Sequence, residues 1–123
     1  MKKYKITILN ILVIIIILII LKQLNPVLEL DGYSGNIKRL LYNTDDTVYS
    51  NQYFDSKFLE IKEGMSLDQV YDILGTPIRE DKEENENYLL WFSMSPNSLN
   101  YRKRNVILEN NKVVKIHSEY YID

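Results

Sequence analysis

The chain has 123 residues, with 15 Lys/Arg, 17 Asp/Glu and no cysteine, which suits a single domain and excludes a disulfide scaffold. Lys2, Lys3 and Lys5 precede a long apolar run, leaving twelve Lys/Arg against seventeen Asp/Glu beyond it, a net charge of about −5. That balance favours solubility and excludes nonspecific nucleic-acid binding.

Residues 1–24 read as a cytoplasmic tip and transmembrane anchor. Ile6 to Leu21 is apolar except for Thr7 and Asn10, and the run extends to Leu24. At 1.5 Å per residue, residues 6–24 span about 28 Å, close to the hydrocarbon thickness of a bilayer. A secretory signal peptide would need a small-residue cleavage site, yet the chain contains no alanine, and no cysteine follows the run for lipidation. The expectation is an uncleaved signal-anchor. By the positive-inside rule the three lysines keep the N-terminus cytoplasmic and the C-terminal domain extracytoplasmic, in a periplasm or its equivalent.

Residues 25–54 carry Pro26, Gly32, Gly35 and many small polar residues without a clear amphipathic period. They read as a linker or arm holding the domain off the membrane. If instead they order on a partner, Tyr49, Tyr53 and Phe54 are the expected anchors.

Residues 55–123 read as the folded domain. Asp55 or Ser56 is placed to cap a first helix through Phe58, Leu59 and Ile61, closed by Gly64. A second helix is marked at both ends. Ser66 suits the N-cap and Gln69 completes a capping box, while Met65 and Val70 have the spacing of a hydrophobic staple. Leu67, Val70, Tyr71 and Leu74 share one helix face. Gly75 suits the left-handed C-terminal position and Pro77 prevents continuation. Glu80 to Glu86 reads as an acidic loop. Asn87–Met94, Arg104–Glu109 and Lys112–Tyr120 read as strands, the last two joined by Asn110-Asn111, which tolerate the positive φ of a tight hairpin. In the last strand Val114, Ile116, Ser118 and Tyr120 alternate with Val113, Lys115, His117 and Glu119, so one face is wetter.

The segment from Gly64 and Met65 through Ser66, Gln69, Val70 and Leu74 to Gly75-Thr76-Pro77 resembles the signature of the SmpA/OmlA (BamE-like) family, over about Phe58 to Ile116. The resemblance implies the fold shared with β-lactamase-inhibitor proteins: two short helices on a three-stranded antiparallel meander, outside the cytoplasm. It also implies a function in binding other proteins rather than in catalysis. The outer-membrane members carry a lipidated cysteine that this chain lacks, which separates it from their role in β-barrel assembly.

No residue set suggests chemistry. His117 is the only histidine, on the wetter strand face, with neither a second histidine nor a cysteine for a metal set or nucleophilic pair. The Glu80–Glu86 run lacks the spacing of a cation-binding loop. No catalytic, metal or cofactor residue is expected, and the chain is not expected to be an enzyme. Tyr101 with Arg102-Lys103-Arg104 forms a basic patch suited to strand-edge protection or to anionic lipid headgroups. Trp91 and Phe92 point to opposite sides of their strand, and ten tyrosines offer binding area at low entropy cost. The expected partner-binding residues are Tyr53, Phe54, Trp91, Tyr101, Arg102, Arg104 and Tyr120.

The sequence therefore predicts an α+β protein: a transmembrane helix, then two short helices on a three-stranded antiparallel meander. Its expected role is a non-catalytic interaction domain in cell-envelope assembly or maintenance, with the bilayer bound through residues 6–24 and envelope proteins as partners. The alternative is an inhibitor or immunity-type protein that captures an enzyme through its sheet face.

Overall fold

The computed structural model describes residues 1–42 and 44–122. It is an α+β structure with an N-terminal apolar helix and antiparallel sheets. Helix α1 (Lys2–Leu24) is the candidate membrane span among the described residues, and none of it is buried. Its 23 residues reach about 34 Å, enough to cross a bilayer.

Helix α2 (Pro26–Leu41) occupies what the sequence suggests is a linker. Asn25 ends α1 and starts α2, its side chain accepting from the amides of Val27 and Leu28, with Pro26 in the first turn. At Gly32 (φ 72°, ψ 174°) the helix breaks, which scrambles the apolar period along it. Its buried residues are Leu30, Asp31 and Gly35, and it packs on the last strand. A glycine and an acid at the contact hide an amphipathic helix from a pattern of apolar spacing.

A short strand β1 (Val48–Tyr49) and one helical turn, α3 (Asp55–Phe58), follow. The N-cap of α3 is Phe54, with no side-chain cap bond, so neither Asp55 nor Ser56 plays the capping role expected of them. Helix α4 (Leu67–Leu74) has its capping box: Gln69 N–H donates to Ser66 Oγ at 3.3 Å, and Ser66 N–H donates to Gln69 Oε1 at 2.9 Å. Gly75 ends it at φ 73° and ψ −163°. That is not the left-handed helical conformation expected but a region open essentially to glycine alone.

The main sheet has four strands rather than three, in the order β2 (Arg79–Lys82), β3 (Tyr88–Trp91), β5 (Tyr101–Glu109), β6 (Lys112–Tyr121). The first half of the acidic stretch is thus an edge strand, Glu80 pairing with Leu90 and Asp81 with Leu89. Charged side chains are compatible with an edge because they discourage further pairing. The predicted strand over Asn87–Met94 splits at Phe92. Beyond that residue, β4 (Ser93–Met94) leaves the main sheet to pair with β1. Asn110 (φ 50°) and Asn111 (φ 61°) make the tight turn between β5 and β6.

A register shift at Ile107/Leu108 breaks the alternation expected in β6. It turns Val113 into the core and leaves Val114 exposed. The core gathers on one face of the sheet, where Val70 and Leu74 of α4 and Phe58 of α3 meet Leu90, Val106 and Leu108. Among the described residues no helix packs on the opposite sheet face.

Candidate functional site

Strand register decides which side chains reach the open face. Arg79 pairs with Trp91, and Trp91 with Asn105. Tyr101 pairs with Tyr121, and Lys103 with Glu119. Residues directly opposite one another share a face, so β5 sends Tyr101 and Lys103 outward and Arg102 and Arg104 inward. The basic run is thereby divided between two environments.

On the open face the Trp91 indole N–H donates to Asp81 Oδ2 at 3.0 Å. Arg79 Nε donates to Asp81 Oδ1 at 2.8 Å, and its guanidinium lies 5.6 Å from the Trp91 ring centroid. The Arg79 and Trp91 hydrogen bonds hold the Asp81 carboxyl below the usual carboxylate range. The Lys103 ammonium stands 6.0 Å from the Trp91 ring and 5.2 Å from the Tyr121 ring. Tyr101 and Tyr121 meet edge to face with centroids 5.6 Å apart. Arg79, Trp91, Tyr101, Lys103 and Tyr121 line a groove of about 350 Å³ that also includes Ile78, Met94 and Leu99. Aromatic faces with two cations beside them suit a partner that brings an apolar or aromatic anchor and a carboxylate.

The inward arginines form a second polar cluster. Arg104 is completely buried. Its Nη2 donates to Asp31 Oδ1 at 2.7 Å, its Nε to the Tyr53 hydroxyl at 3.1 Å, and its Nη1 to the Lys103 carbonyl at 2.9 Å. The Tyr53 hydroxyl donates to Asp55 Oδ1 at 2.6 Å, which itself lies 3.5 Å from Arg104 Nε. Arg102 Nε lies 3.3 Å from Asp31 and 3.7 Å from Asp45. Burial pushes the Asp31 carboxyl up, with Arg104 opposing it, and burial likewise raises the Tyr53 phenol. The cluster joins α2, α3 and β5, so its chemistry is that of a fastening inside the chain.

Seven residues were expected to bind a partner, and the structure distributes them. Trp91 and Tyr101 line the groove. Phe54 is exposed elsewhere, with the Lys57 ammonium 5.5 Å from its ring. Tyr53, Arg104 and Tyr120 are buried within the chain, and Arg102 is largely covered against Asp31. Those four are corrected to internal positions. Burial of a guanidinium is tolerated here because carboxylates and a phenol surround it. Tyr121, Lys103, Arg79 and Asp81 were not among the residues expected to bind a partner. Strict alternation from Trp91 and Tyr101 places Lys103 on the same face as Tyr101, a signal already present in the spacing. Tyr121 required the β5–β6 register, which the bulge shifts.

Among the described residues no group of three or more His, Cys, Asp or Glu side chains is placed to hold a metal ion. His117 Nε2 lies 3.1 Å from Glu119 Oε1 on the half-exposed open face. No protein-family model matches the chain, and no curated protein matches it.

Proposed function

We propose that this chain is a membrane-anchored, extracytoplasmic protein-interaction domain of the cell envelope, non-catalytic, that grips its partner in the open-face groove. The observation that carries the reading is the convergence of Trp91, Tyr101 and Tyr121 with Lys103 and Arg79 on a sheet face that no helix covers among the described residues. Aromatic residues and arginine are the types most enriched where binding energy concentrates. The apolar helix and its preceding lysines support the anchor and its orientation. The likeness of Gly64–Pro77 to the SmpA/OmlA signature supports a role in envelope assembly or maintenance.

The test is photocrosslinking in cells from full-length protein carrying benzoylphenylalanine at position 101 or 121. Recurrent capture of one envelope protein, lost when Trp91→Ala and Lys103→Glu are added, is the expected result. Capture of lipid alone would overturn the reading. One-to-one capture of a hydrolytic or toxic enzyme would assign the inhibitor role instead.

A further inference from the structure

Beyond Gly32, α2 has two unlike sides. One side lies on the sheet: a Cβ added at Gly35 would sit 3.2 Å from the Tyr120 Cβ and 3.0 Å from that of Asp31. On the opposite side Tyr33, Ile37, Leu40 and Leu41 follow at helical spacing and form a stripe about 100° wide. A stripe of that width ordinarily faces a core. Here Ile37 is 58% exposed, Leu40 83% and Leu41 73%.

Tyr33 fixes what lies beside this stripe. Its hydroxyl donates to the main-chain carbonyl of Leu18 in α1, and Glu29 and Tyr33 border a hollow with Ile19, Lys22 and Gln23. Helix α2 therefore turns back beside α1 directly after Asn25. Leu18 is six residues before the end of α1, about 9 Å at 1.5 Å per residue. The stripe thus begins level with the last apolar turns of α1 and not beyond them. Lys38 lies next to it around the helix, and Lys22 is in the last turn of α1.

We infer that the α2 stripe lies in the surface layer of the same bilayer that α1 crosses, giving the domain a second, in-plane anchor. This rests on reading α1 as a membrane span. An apolar helix face flanked by basic residues sinks about 5–10 Å into the boundary between headgroups and acyl chains. Tyrosine favours that depth, and the basic residues draw the helix to anionic headgroups. Continuity with α1 selects the bilayer as the occupant over a second copy of the chain.

The absence of native cysteine permits single-site labelling of the full chain. Variants Ile14→Cys, Ile37→Cys, Leu40→Cys and Val114→Cys would each carry a nitrobenzoxadiazole fluorophore. They would be reconstituted in phosphatidylcholine–phosphatidylglycerol vesicles with or without brominated acyl chains. Labels at 14, 37 and 40 are expected to be quenched by bromine several-fold more than the label at 114, with the reverse order for aqueous iodide. Quenching at 14 but not at 37 and 40 would overturn the in-plane anchor and leave the span intact. Absence of quenching at 14 would overturn both. Protection at 37 and 40 that follows protein density rather than bromine would assign the stripe to a second copy and overturn the inference.

Discussion

Helices α4 and α2 both pack on the sheet, but different chemistry holds them there. Helix α4 presents Val70 and Leu74 to an apolar core, and its start is fixed by Ser66 and Gln69, neighbours three residues apart. Helix α2 adds only Leu30 to that core and otherwise presents an aspartate and a glycine, and its buried ion pair, Asp31 to Arg104, spans 73 residues. The first could be written down from its own sequence; the second exists only once β5 is in place. Local bonds and apolar contacts specify where a helix is. A buried ion pair specifies which surface it must meet, because the alternative leaves charge stranded in the interior.

Substitution at Arg104 should break this contrast most severely. Arg104→Ala takes the buried cation from Asp31 and Asp55, leaving Asp31 with Arg102 alone, and removing one partner of a buried pair costs about 3–5 kcal/mol. Denaturant unfolding of the detergent-solubilised full chain, followed by fluorescence of Trp91, the single tryptophan, measures the loss. A change near zero would mean that α2 is held by packing alone and that the two helices do not differ in kind.

Gly75→Ala comes next and probes the other helix. Beyond the conformation itself, a Cβ at Gly75 would fall 2.3 Å from Gln52 Oε1. Residues forced into such backbone regions cost about 1–3 kcal/mol, and the same unfolding measurement should show it. Adding Gln52→Ala should remove the contact with Oε1 but neither that with the Gln52 Cβ, 2.8 Å away, nor the backbone strain, so only partial recovery is expected. Full recovery would show that contact with Gln52 was the whole effect.

Ser66→Ala is the mildest. It removes one half of the capping box and should cost about 1 kcal/mol. Because the bond is local, its effect should add to that of Arg104→Ala within about 0.5 kcal/mol, as independent sites do. A larger coupling would show that the cap and the buried cluster belong to one cooperative unit.

Legibility in the sequence followed the same division. The apolar anchor helix, the limits of α4 and the Asn110-Asn111 turn were readable because each depends on residues within one turn or one hairpin. Strand β2 was not, since Glu80 and Asp81 have low strand preference and gain their place from pairing with Leu90 and Leu89. Of the five aromatic and cationic residues that line the candidate groove, Trp91 and Tyr101 were foreseeable. Lys103 and Tyr121 were obscured, the one by lying within a run of three cations and the other by the shifted register at Ile107/Leu108. Burial of Arg104 had no local signal, for nothing near it in the chain announces Asp31.

The single residue between α1 and α2 has a mechanical consequence. A flexible segment of 30 residues would let a domain roam about 30 Å from its point of attachment, searching a broad volume for its target. Asn25 allows no such excursion, for it closes one helix and caps the next. A membrane that holds α1 fixes the height of the groove above it, and tilting or rotating α1 swings the domain as a lever. On the proposed reading, a partner would have to offer its contact surface at that height, and selection among targets would operate through elevation as well as through chemistry.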